Sequence, residues 1–327
     1  MARETGRPSL NDKPNSDRNH ADTQKSSIVS EDVRSLAAGL AQKLREANID
    51  CEILPVVPIP TTAVRRDRVL AVLGLTLLTA SAWAYLTWIS VDMAMGGMDM
   101  AGYRMIPSGI GLMMPSDRPW QPIEFAFVFA MWVVMMAAMM TLSAAPMILM
   151  YARVGQFIER RTTPLVATIC FSGGYFLVWV AFALLATMAQ WALERAALLD
   201  SAMTSTSNVL GGLVFVAVGG YQWTRLKDLC LAQCQKPFAF LVRQGAFRPN
   251  APGSLMLGLR HGAYCLGCCW ALMALLFVGG VMNMLWIVAL TLLILVEKVT
   301  PFGRQFAAVA GTVLIATGAW LLSTVLS

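Results

Sequence analysis

Charge is what this sequence has little of. Asp, Glu, Lys and Arg make up 13% of its 327 residues, against about 25% in soluble domains. That scarcity excludes a fully water-soluble enzyme, and an apolar share of 57% points the same way. No P-loop, phosphorylatable-Asp motif or nucleotide domain stands in the chain, so ATP-driven transport would need a partner. No small-residue cleavage site follows the first apolar stretch, which begins at Val69, so a signal peptide is not expected. Arg65-Arg66 reads as a positive flank rather than a twin-arginine export signal.

What charge there is lies at one end. Residues 1–68 hold 21 charged side chains, leaving 23 for the other 259 residues. Two domains follow: a polar N-terminal extension, 1–64, and an integral membrane domain, 65–327. Residues 1–29 have almost nothing to bury, which predicts disorder. Ser30-Glu31-Asp32 opens a short amphipathic helix with Leu36, Leu40 and Leu44 on one face, and Pro55, Pro58 and Pro60 mark a linker.

Seven apolar segments come near the roughly 20 residues that span a bilayer: 69–90, 124–148, 165–190, 208–223, 262–280, 281–297 and 306–326. The fourth and sixth are the shortest. The predicted fold is an all-α polytopic membrane helix bundle of about seven transmembrane helices. No charge falls within the segment cores. Glu297 and Lys298 end the sixth, where long side chains can reach the interface. The net charge of +6 is then a topology signal, not a nucleic-acid footprint. Of the 14 cations after residue 68, 11 fall on one side, and only Arg104, Arg118 and Arg195 on the other. This places the N-terminus in the cytoplasm and the C-terminus in the periplasm, across a bacterial inner membrane.

Sulfur is what the chain has in quantity, with Met 21 and Cys 7. Cys230 and Cys234 form C-L-A-Q-C; further on, His261 precedes Cys265, Cys268 and Cys269. If both stretches are helical, Cys230 and Cys234 share one face, and His261, Cys265 and Cys268 or Cys269 share another. Brought together, the two faces would make a four-ligand site for a soft or borderline metal. A cytosolic disulfide framework is a poor explanation, because thiols there are kept reduced; inert packing of small apolar thiols is the bland alternative. Cys51 and Cys170 are expected to be dispensable.

Methionine forms two further groups. Met93, Met95, Met98 and Met100 crowd the first outer loop, followed by Met105, Met113 and Met114. Thioethers suit Cu(I) and hardly compete for Zn(II). Met131, Met135 and Met139 run at four-residue spacing in the second segment, with Met136 and Met140 on the adjoining stripe. Both groups have packing as their ordinary reading. Paired glycines at 173–174, 211–212 and 219–220 suggest close helix packing, and Gly279-Gly280 before Asn283 suggests a tight turn.

The stretches M-W-V-V-M-M-A-A-M-M…A-P, G-G-Y…W, Y-Q-W-T-x-L-K-x-x-C-L-x-x-C, H-G-x-Y-C-L-G-C-C-W-A-L-M and E-K resemble a bacterial family of predicted metal-binding integral membrane proteins of unknown function. The resemblance runs from about Arg65 to the C-terminus and implies metal binding at Cys230, Cys234, Cys265, Cys268 and Cys269. It names neither a metal nor an activity.

Together these features predict a protein that handles Cu(I), binding or transporting it through the outer Met loop, the Met-lined helix and a cytoplasmic Cys cluster. Expected partners are the lipid bilayer, the metal ion, and a metallochaperone or metal-dependent membrane enzyme; nucleic acid is not expected. The competing readings are a thiol–disulfide oxidoreductase using Cys265 and Cys268 as its C-x-x-C pair, and a structural zinc or iron–sulfur site.

Overall fold

A computed structural model describes residues 61–95, 103–115, 118–158, 165–199, 203, 207–244, 247–248 and 250–326. The chain divides into two units, Met1–Pro58 and Ile59–Ser327, and only the second is described. Residues 1–60 of the polar extension, with the Leu36–Leu40–Leu44 helix, the proline linker and Cys51, lie outside the described residues, as do Met98, Met100 and the side chain of Met95.

The architecture is all-α. Long apolar runs form α1 (Thr61–Met95), α2 (Pro122–Ile158), α3 (Leu165–Arg195), α7 (Ala251–Ala274) and α10 (Gly303–Leu326). Shorter pieces are α4 (Asn208–Gln222), α5 (Arg225–Gln235), α6 (Pro237–Arg243), the single turn α8 (Leu276–Gly279) and α9 (Met284–Val299). Between α1 and α2 a hairpin pairs β1 (Tyr103–Met105) with β2 (Met113–Pro115), setting Met105 opposite Met113.

All seven predicted segments are helical, and five helices are long and apolar enough to cross a membrane. α4 and α9, with 15 and 16 residues, extend only about 22–24 Å at 1.5 Å per residue, short of a roughly 30 Å hydrocarbon core. The fifth segment begins earlier than its hydropathy suggested. Asn250 and an early proline start α7 at Ala251, so Arg260 and His261 lie inside the helix rather than before it.

Local chemistry fixes the short elements. Thr224 caps α5 by accepting from the Lys227 amide, with Asp228 in the first turn. Gly280, at φ 92°, makes the turn expected at Gly279-Gly280, and Asn283 caps α9 by accepting from the Trp286 amide. Pro146 lies within α2 and removes one helical donor there.

Packing follows the small residues. α3 lies against α7 and α4 against α10. At Gly174 a Cβ would collide with the Leu255 carbonyl, and at Gly258 with that of Phe171, so α3 and α7 meet backbone to backbone. α5 rests on α7, and α9 contacts α2, α5, α7 and α10. Apolar side chains such as Leu285, Val166 and Trp320 stay exposed on helix surfaces, the arrangement expected against lipid.

Candidate metal centre

The two cysteine-bearing stretches are both helical. Cys230 and Cys234 are on α5; His261, Cys265, Cys268 and Cys269 are on α7. α5 packs on α7 and sets the Cys234 thiol beside those of Cys265 and Cys268, which together with burial hold Cys234 well above the usual thiol range. Cys265, Cys268 and Cys269 are buried within α7. The Cys268 and Cys269 thiols turn back onto the Cys265 carbonyl, each at 3.0 Å.

Cys230 faces elsewhere. It packs on Gly267, where a Cβ would stand 2.7 Å from its sulfur, so the glycine inside C-L-G-C-C makes room for α5. Cys230 also lines an open cavity of about 420 Å³ with Gln244, Arg260, Ala263 and Tyr264. Burial, then the neighbouring Cys268, pushes its thiol upward.

The sequence reading missed the group that reaches these sulfurs. Lys298 is buried, not at an interface: its Nζ donates to Cys265 Sγ at 2.9 Å and Ser143 Oγ at 3.3 Å, and approaches Cys269 Sγ at 3.8 Å and Met140 Sδ at 3.9 Å. The Tyr175 hydroxyl hydrogen-bonds Cys265 Sγ at 3.0 Å. Four helices, α2, α3, α7 and α9, thus meet at one sulfur. Glu297 is equally buried. Its Oε2 accepts from Lys227 Nζ at 2.7 Å, and Lys227 also donates to Gln222. A signal was present: an ionisable residue in an apolar segment is a functional candidate by default, and the E-K, G-G-Y and Y-Q-W-T-x-L-K motifs carry these residues.

His261 lies among Phe171, Tyr175 and Phe240, with ring centroids 6.1, 5.7 and 5.2 Å away. Its buried Nδ1 has no hydrogen-bond partner among the described residues. Met131, Met135 and Met139 are buried in the core; Met140, on the adjoining stripe, is the thioether that approaches Lys298. Met93 is half-buried against the core, and Cys170 is half-buried on α3. At the bundle's other extremity Arg104, Arg118 and Arg195, assigned to one side by the charge count, line a single cavity with Trp120, Trp191 and Glu194.

As the side chains stand, no three His, Cys, Asp or Glu among the described residues are arranged to hold a metal ion. The donor chemistry nevertheless suits a soft one. Thiols from two helices converge and a thioether stands across Lys298 from them, a set that favours Cu(I) over hard cations.

The chain matches none of the curated proteins and none of the solved structures with which it was compared. One family model, described as copper chaperone, matches residues 129–321. That range takes in Met140, Tyr175, all the cysteines of α5 and α7, and Lys298, but not Met93–Met100. It covers more than half the chain, which therefore belongs to the PpoB2 copper chaperone family.

Proposed function

We propose that this protein carries Cu(I) in a bacterial inner membrane, taking the ion at a buried sulfur cluster and passing it to a copper-dependent acceptor. The observation that carries the reading is the packing of α5 on α7, which sets Cys234 beside Cys265 and Cys268. Ordinary helix packing does not require thiols 30 residues apart to meet. Membership of a copper chaperone family supports copper as cargo, and soft donors support its monovalent form.

Cys234, Cys265, Cys268 and Cys269 are the proposed ligands, with Met140 as a thioether on the approach. Loading requires two of these thiols, Cys265 and one of its neighbours, to lose their protons, since the thiolate is the metal ligand. Cys230, between the cluster and the open cavity beside Arg260 and Tyr264, is the proposed point of exchange with a metallochaperone or metal-dependent membrane enzyme. His261, with its unpartnered Nδ1, is a reserve ligand. Met93, Met95, Met98 and Met100 are assigned to capture outside, and Met131, Met135 and Met139 to passage along α2. The N-terminus is then cytoplasmic and the C-terminus periplasmic.

The test is an anaerobic titration of the full chain in detergent with Cu(I) buffered by a chromogenic chelator. The wild type should withdraw stoichiometric copper. Cys265→Ser should lose it, because a hydroxyl is a poor ligand for a soft ion, while Cys170→Ser should behave as wild type. Equal copper in all three proteins would refute the site.

A further inference from the structure

The buried charges around the cluster do not cancel. Lys227 and Glu297 neutralise each other at 2.7 Å, with both side chains almost fully buried. The remaining ion pairs among the described residues are Arg104–Glu124 and Arg304–Asp228. Lys298, 6% exposed, has no carboxylate in ion-pair distance among the described residues; its partners there are two cysteine sulfurs, one methionine sulfur and a serine hydroxyl. A buried ammonium without an anion is costly. The excess positive charge therefore stands where an anionic occupant belongs, and the groups able to supply one are the thiolates.

We propose that the Lys298 ammonium is the built-in countercharge of a bis-thiolate Cu(I) complex and sets the preference of the site for monovalent copper over divalent ions. This rests on the copper(I) reading above. When Cu(I) enters, two S–H protons leave and two Cu–S bonds form. The complex carries one negative charge, and with Lys298 the site becomes neutral. A divalent ion on the same two thiolates gives a neutral complex, so the ammonium stays uncompensated and repels it. The distance makes this repulsion matter. Lys298 Nζ is 2.9 Å from Cys265 Sγ, so an ion on that sulfur, at a metal–thiolate distance of about 2.3 Å, lies roughly 5 Å or less from the ammonium. In a medium of effective dielectric near 20, one unit charge at such a separation changes an equilibrium by at least about tenfold.

The stretch of α9 that delivers Lys298 suits this role. Glu297 turns to Lys227 on α5, while Lys298 turns to α2 and α7. Adjacent residues on one helix point in well-separated directions, so the E-K pair both anchors α5 and places one unpaired cation at the sulfurs.

The experiment compares full-length wild type with Lys298→Met, Lys298→Gln and Lys298→Arg in competition between chelator-buffered Cu(I) and Zn(II). Thermal melting checks folding, and Gln, which keeps a donor towards Ser143, supplies a second neutral variant should Met disturb the packing. Met and Gln should lower the Cu(I)-to-Zn(II) preference by about tenfold or more, and Arg should preserve it. An unchanged preference in a folded neutral variant would overturn the countercharge. Failure of the wild type to bind Cu(I) would overturn the copper reading itself, and this inference with it.

Discussion

At the scale of single residues, the buried charges beside the cysteines are organised around two adjacent positions on α9. Glu297 is held by Lys227, and Lys227 also bonds Gln222, which fastens α4, α5 and α9 to one another beside the cysteines. Lys227 is fully buried, so truncating it strands a carboxylate in an apolar interior. Lys227→Met should therefore cost about 3–5 kcal/mol, and adding Glu297→Leu should recover most of that loss, because removing both charges leaves neither unpaired. Thermal unfolding in detergent reads both numbers; a double variant no more stable than Lys227→Met would show that the pair is not the anchor. These residues were the hard part of the sequence. Glu297 and Lys298 end an apolar segment, where snorkelling to the interface is the usual fate of long charged side chains, and only the packing of α5, α2 and α7 around α9 keeps them inside. The cysteine faces were easier, since i, i+4 spacing is local and needs only that each stretch be helical.

At the scale of elements, helix lengths and helix contacts follow from different signals. Apolar runs located all seven helical segments and marked the fourth and sixth as the shortest, in line with the 15 and 16 residues of α4 and α9. Hydropathy placed the start of α7 too late, because Gly258, Arg260 and His261 lower the apolar average without breaking a helix. Contacts were legible where glycine recurs, and at 173–174 and 219–220 only one of the pair does the work. A Cβ at Gly174 would strike the Leu255 carbonyl, whereas one at Gly173 meets nothing within 4 Å. Gly173→Ala should raise stability by about 0.4–1 kcal/mol by restricting the unfolded chain. Gly174→Ala should lower it by about 1–3 kcal/mol and, by moving α3, separate the Tyr175 hydroxyl from Cys265. Unfolding midpoints of the two variants give the check, and equal shifts in one direction would mean that α3 and α7 do not meet there.

At the scale of the whole molecule, long apolar helices enclose a small polar and sulfur-rich centre, and the matched copper chaperone region, 129–321, contains every residue of that centre. The Met93–Met100 segment and α1 stand outside it, so capture by the outer loop and custody by the cysteines are separable parts of the account. What the sequence could not reveal is that one sulfur, Cys265, collects groups from four helices: Met140 and Ser143 lie near its lysine, Tyr175 bonds it directly, and Lys298 arrives from α9. Those positions are far apart along the chain and share no local period. The central claim is that Cu(I) is held by sulfur at this meeting point. X-ray absorption at the copper edge of the anaerobically loaded full chain tests it most directly. The account predicts a shell of sulfur neighbours alone, present in the wild type and lost when Cys265 and Cys269 are both replaced by Ser; copper bound through nitrogen or oxygen, or a sulfur shell unchanged in that double variant, would contradict it.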